Sequence, residues 1–233
     1  MKKILASAAA MVVVATVGAQ AAAEDAPPPP PTWHFAATAY GYVIPGQPDF
    51  VMATLPIDIR WFHVEGRYNY EALHTGSAFL GVTGRWGDSL KLTLTTMIGG
   101  TFGDLRAVVP ASRLTLSWWK LDLFSETETV LDISGKTSTF FYDWTELGVS
   151  PVGWLRVGAA IQRSLVFQTS LDVQRGLFAG VGLGVLTLTA YEFNLGWISP
   201  TFVVALGVTT DGRAKSSASA GVGHGTGGDQ GVP

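Results

Sequence analysis

The 233 residues include no cysteine, 14% charged and 47% hydrophobic residues, 28 glycines and eight tryptophans. This balance excludes a disulfide scaffold, a cysteine-ligated metal site and a disordered chain. A formal charge of −3 with scattered basic residues excludes a nucleic-acid surface, so a chain this poor in charge either wraps a large core or faces something other than water.

In chain order, Lys2 and Lys3 precede an apolar run from Ile4 to Gly18 and the small-residue site Ala19-Gln20-Ala21. This reads as a secretory signal peptide over residues 1–21. Residues 22–31 end in the five prolines Pro27 to Pro31, an extended spacer expected in the periplasm. Residues 211–233 are mostly Gly, Ser, Ala and Thr, with too little apolar surface to offset ordering, and are expected to form a flexible tail. The folded part is residues 32–210.

Within it the apolar period is two. His63, Glu65, Arg67, Asn69 and Glu71 alternate with Phe62, Val64, Gly66, Tyr68, Tyr70 and Ala72, giving a strand one polar and one apolar face. The pattern recurs where Leu90, Leu92, Leu94 and Ile98 oppose Lys91, Thr93 and Thr95, and where Leu155, Val157, Ala159 and Ile161 oppose Arg156, Gly158, Ala160 and Gln162. Twelve strands are predicted: 32–43, 50–59, 61–73, 77–86, 89–103, 112–119, 121–132, 139–150, 154–167, 175–185, 186–196 and 201–210. Their connections alternate between tight turns, such as Gly87-Asp88, Lys120 and Pro151-Val152-Gly153, and longer loops at 44–49, 104–111, 134–138 and 168–174.

An even strand number with short turns on one side and long loops on the other predicts an all-β fold, a transmembrane antiparallel up-and-down barrel of the outer membrane with both termini periplasmic. Backbone groups in hydrocarbon find no water, so strands cross only in a ring without edges. Trp33, Trp61, Trp86, Trp118, Trp119, Trp154 and Trp197 cluster near strand ends, with Tyr40, Tyr42, Tyr68, Tyr70, Phe140 and Phe141 toward the other rim. They are expected to form two interfacial girdles. A soluble secreted β-protein that binds an apolar ligand is the alternative fold reading; it would have to bury the polar parities in place of a core.

The segments Gly66-Arg67-Tyr68-Asn69-Tyr70-Glu71, Gly99 to Gly103, Glu126-Thr127-Glu128, Phe140 to Leu147, Trp154 to Gly158 with Gln162-Arg163, and Phe193-Asn194 resemble a family of uncharacterised Gram-negative outer-membrane β-barrel proteins. RYNYE and FFYxWxEL in combination carry the resemblance, which spans about residues 60–210. It implies a membrane barrel without an assigned activity. Members usually finish on a strand with a terminal aromatic residue, which the barrel assembly machinery reads. Here Val208-Thr209-Thr210 leads instead into the 23-residue tail.

With Phe62 and Val64 toward lipid, parity sends His63, Glu65, Arg67, Asn69 and Glu71 into the lumen, joined by Asp122, Glu126, Glu128 and Asp132 from the seventh strand. Tyr142, Trp144 and Glu146 follow from the eighth, Arg156 and Gln162 from the ninth, and Lys91 and Arg113 from the fifth and sixth. Three readings of this mainly acidic set stay open. Paired charges could fill and shut a structural barrel. A narrow water-filled channel could favour a small polar or cationic solute. An outer-membrane hydrolase could use the lumen carboxylates, such as Glu126 and Glu128 about 7 Å apart along their strand, or His63 with Ser117 or Ser164. Gly180-Val181-Gly182-Leu183-Gly184 mimics a nucleotide loop without the helix that mechanism needs; its glycines are expected to make room for large neighbours such as Trp144 or Tyr191. No cofactor and no metal site is expected, and lipid is the expected surrounding.

Overall fold

In the computed structural model, residues 33–135, 139–166, 172–194 and 200–210 are described. The expected signal peptide, spacer and tail, and Trp197, lie outside them. Twelve strands follow one another: β1 Trp33–Val43, β2 Phe50–Ile59, β3 Phe62–Tyr68, β4 Thr75–Trp86, β5 Leu90–Gly103, β6 Ala107–Trp118, β7 Leu121–Asp132, β8 Phe140–Val152, β9 Leu155–Val166, β10 Asp172–Leu183, β11 Leu186–Phe193 and β12 Thr201–Thr209. Each pairs antiparallel with the next, and β12 returns to β1 with Tyr40 opposite Ala205, so the sheet closes on itself. Closure leaves no unpaired edge, the condition for strands in lipid.

Several strand limits differ from the sequence expectation, most of all at β3 and β6. β3 stops at Tyr68 because Asn69 adopts φ 55°, a left-handed conformation that Asn tolerates by bonding locally. Its amide nitrogen donates to the Val51 carbonyl at 3.0 Å and its oxygen accepts from the His74 N–H at 2.7 Å, so the side chain closes a loop over 69–74. β6 starts five residues earlier than expected, at Ala107 instead of residue 112, and carries Pro110 inside it. Its ladder to β7 is interrupted between Val108 and Ala111, where the proline has no N–H to give. β10 likewise begins earlier, at Asp172.

The two barrel ends differ. Turns at 60–61, 87–89, 119–120, 153–154 and 184–185 sit at one end with the start of β1 and the end of β12, and the longer connections sit at the other. Trp33, Trp61, Trp86, Trp118, Trp119 and Trp154 are all more than half exposed on the short-turn rim, as an interfacial aromatic belt requires. On the long-loop rim the belt is smaller than expected. Tyr68, Phe102 and Phe202 face outward there, whereas Tyr40 and Tyr42 are buried inside and Tyr70 and Phe140 pack against interior clusters. Tyr40 and Tyr42 share the parity of buried Ala36 and Thr38, and parity outranks nearness to a strand end.

The interior is filled. Tyr40, Tyr42, Met52, Phe124, Trp144, Phe178, Tyr191 and Phe193 form one apolar cluster, and Phe79, Met97, Leu105, Val109 and Val130 form a second. Residues without side chains admit the bulk of their neighbours. A Cβ on Gly158 would stand 2.7 Å from the Phe178 ring, and one on Gly148 would stand 2.6 Å from the Arg156 guanidinium. Gly180 faces Thr189, not Trp144 or Tyr191, and Gly184 forms a turn at φ 63°.

Candidate functional site in the barrel lumen

Inward parity on β3, β6 and β7 brings together charges that are far apart in sequence. Arg67 is the hub of the first network. Its Nε donates to Glu65 at 2.8 Å and its Nη1 to Glu128 at 3.0 Å, Nη2 lies 2.9 Å from Glu126, and Glu71 is 3.6 Å away. The guanidinium is sandwiched between Tyr70 and Phe79, 4.4 and 4.3 Å from their ring centres, an arrangement suited to a planar delocalised cation. Arg113 closes the lattice, its Nη2 standing 2.9 Å from Glu65 and 2.7 Å from Glu126. These bonds cross the lumen from β3 to β6 and β7.

Toward the short-turn end the network passes through His63. Its Nδ1 lies 2.9 Å from Asp58 and its Nε2 3.0 Å from Glu65. Asp58 also accepts from the Thr83 hydroxyl at 3.0 Å, and Thr83 bonds Thr95 at 2.9 Å. The sequence reading did not include Asp58, although it shares inward parity with Met52, and that alternation was the available signal. Both His63 nitrogens are engaged by carboxylates, so neither is left to take a proton from Ser117 or Ser164, as nucleophilic catalysis requires.

A second network lies on β7 to β11. Arg156 pairs with Asp122, its Nε 3.0 Å from the carboxylate, and with Glu146 at 2.7 Å, and it stacks on Phe178 with 4.4 Å to the ring centre. Glu146 further accepts from Trp144 Nε1 and the Tyr191 hydroxyl, each at 2.9 Å. Carboxylates are the majority across both networks: Asp58, Glu65, Glu71, Asp122, Glu126, Glu128 and Glu146 face Arg67, Arg113 and Arg156. Glu65, Glu146 and Arg156 are 1%, 0% and 2% exposed, so the lattice packs across the lumen instead of lining an open column of water.

Three residues assigned to the lumen by sequence stand elsewhere, and a fourth, Glu71, reaches it from a loop and not from a strand. Lys91 has inward parity but is exposed at the short-turn rim, where the filled interior ends. Asp132 ends β7, and its carboxylate accepts from the Ser134 N–H at 2.9 Å and from the Ser134 hydroxyl at 2.7 Å. Asn69 belongs to the loop at the long-loop end. Glu71 lies in that same loop, buried, and accepts from the Ser77 hydroxyl at 2.8 Å. Burial pushes the Glu71 carboxyl above the usual carboxylate range, against Arg67 and Ser77, which pull it down.

Above Arg67 the long-loop end opens into a cavity of about 220 Å³ lined by Tyr42, Phe50, Asn69, Tyr70, Tyr142 and Gln162 among others. Tyr42 and Phe50 stack with ring centres 4.7 Å apart, and Tyr70 meets Tyr142 edge-on at 6.1 Å. Gln162 Oε1 is buried here with no hydrogen-bond partner among the described residues. The cavity is thus an aromatic and amide vestibule directly over the charged lattice.

No protein-family model matches the sequence, and no curated protein does. Among solved structures the chain is similar to a KdgM porin, with TM-score 0.53 and 9% identity over 74% of this chain and 98% of that one. It also aligns with Pseudomonas aeruginosa OccK5 (OpdH), with TM-score 0.40 and 8% identity over 73% of this chain and 62% of that one. At such identity the likeness concerns architecture. The chain is a twelve-stranded transmembrane β-barrel of the kind found in outer membranes.

Proposed function

We propose that the protein resides in a bacterial outer membrane with both termini periplasmic and acts as a narrow passive channel for small polar or cationic solutes, constricted by its own ion pairs. The lattice that joins Arg67 and Arg113 across the lumen to Glu65, Glu126 and Glu128 carries this reading. Placement of the termini rests on the short-turn end, which holds the start of β1 and the end of β12 and which in such barrels faces the periplasm. A twelve-strand ring is wider than the eight-strand barrels that side chains fill and narrower than open porins, so a few long charged side chains suffice to set its aperture. The vestibule collects solute at the mouth, and the carboxylate majority beneath it favours cations.

The likeness to a KdgM porin supports the channel class. The test is current through the purified full chain in planar bilayers. Wild type is expected to pass small, steady currents, and Arg67→Ser, which unties four carboxylates from one cation, is expected to raise the unit conductance severalfold. Silence in both would overturn the channel reading and leave a structural membrane barrel.

A further inference from the structure

Most of the outward surface is what lipid requires: Val51, Leu80, Leu177, Leu188 and Leu206 are all exposed. On β5 to β9 it is interrupted. Thr96 pairs with Ser112, Ser112 with Thr127, Thr127 with Asp143 and Asp143 with Arg163. Directly paired residues share one face of a sheet. These five have the parity of outward Ile98, Val108, Leu131, Leu147 and Leu165, so an unbroken polar row crosses five neighbouring strands on the lipid side.

Thr96, Ser112 and Thr127 lie well within their strands, while Asp143 and Arg163 stand three residues inside the long-loop ends of β8 and β9. Exposed Val108, Leu131 and Leu165 flank it toward the long-loop end, and exposed Leu121 and Leu147 flank it toward the other. A second rank, Ser125 paired with Thr145, lies beside it. The groups bond along the surface: Ser112 to Thr127 at 2.8 Å, Thr145 to Ser125 at 3.1 Å, Ser125 to Asp143 at 3.3 Å, with Arg163 3.6 Å from Asp143. Arg163 still has 45% of its side chain exposed, with donors that acyl chains cannot satisfy.

We propose that this β5 to β9 face is a seam on which a second copy of the same barrel docks, with Thr127 beside the two-fold axis. A hydroxyl both donates and accepts, so a row of hydroxyls complements itself. The row also holds one acid and one base, and turning it about a two-fold axis through its midpoint sets Arg163 of each copy toward the Thr96 end of the other. Asp143 is 4% exposed and already bonded to Ser125, Thr145 and Arg163, so Arg163 is the charge the row presents, and the hydroxyls of an identical face offer it acceptors. Removal of these groups from hydrocarbon supplies the drive, as polar residues do between membrane helices.

The chain has no cysteine, so Thr127→Cys introduces the only thiol. In outer membranes containing the full chain, mild oxidation should yield a disulfide-linked two-copy band about tenfold stronger than for Leu188→Cys on β11, outside the row, because a seam raises the effective concentration of facing thiols. Equal cross-linking of the two variants would overturn the seam. Each variant is first checked for the gel shift of a folded barrel on boiling. Ser125→Cys, one pleat away, replaces Thr127→Cys if the latter fails that check, with the same control and the same two outcomes.

Discussion

Arg67 shows how one residue sets the interior. Its guanidinium touches four carboxylates and two rings, which a lysine ammonium could not reproduce, having no plane to stack and no fork to share. Removing one partner of such a buried cluster costs more than the cluster contributes, since the remaining charges stay unpaired. Glycine positions make the complementary point about space. A Cβ on Gly158 would meet the Leu147 carbonyl oxygen and, at 2.7 Å, the Phe178 ring, while nothing stands within 4 Å of a Cβ built on Gly66. Gly158→Ala is therefore expected to lower the unfolding temperature of the barrel, at a cost of about 1–3 kcal/mol from overpacking, and Gly66→Ala is expected to leave it unchanged. Gel mobility after heating across a temperature series reads the difference. Equal behaviour of the two would show that the close approach at Gly158 is relieved without cost.

At the scale of the element, the loop over 69–74 is held by local bonds. Asn69 ties it to Val51 and His74, and Glu71 tucks back against Ser77 and Arg67. Because burial raises the Glu71 carboxyl, the folded loop holds its proton more tightly than the unfolded chain does. Stability from this group is thus greatest at low pH and declines as pH rises through and above the usual carboxylate range. Glu71→Gln is expected to flatten that decline and to hold the loop as firmly at neutral pH as wild type holds it in acid. Hydrogen exchange of residues 69–74 measured at several pH values is the check. A slope that survives the substitution would show that another group sets it. Pro110 marks a different kind of element-scale choice, since β6 keeps its register on β7 across the gap the proline leaves.

For the whole molecule, closure decides everything else. Strand β12 pairs with both β11 and β1, and once the ring is shut the inward parities of twelve strands share one narrow lumen. The excess of carboxylates over arginines there makes the proposed channel cation-preferring by electrostatics. Glu126→Gln removes one lumen charge without removing volume, and the cation-to-anion permeability ratio from reversal potentials is expected to fall. An unchanged ratio would place the permeation path away from β7. The outside of the same ring is mainly apolar, interrupted by the row on β5 to β9 and by outward Arg175 and Glu192 near the long-loop ends of β10 and β11, so one closure event creates both the charged interior and the polar groups of the lipid-facing belt.

Alternation of residue types and the spacing of turns were enough to read twelve strands, their order and their closure, because pleat parity and the need to pair every edge in lipid are local and general requirements. Asn69 escaped that reading, since its left-handed backbone depends on bonds to Val51 and His74 that only the folded loop supplies. Asp58 carries inward parity on β2, but its meeting with His63 and Thr83 depends on register between three strands. The same holds for the polar row from Thr96 to Arg163, whose members are scattered over sixty-eight positions and become neighbours only through strand pairing. Sequence by itself determined which side chains share a face. The tertiary structure alone decided which of them touch, because contact across a barrel is fixed by register and closure, and neither is a property of any one strand.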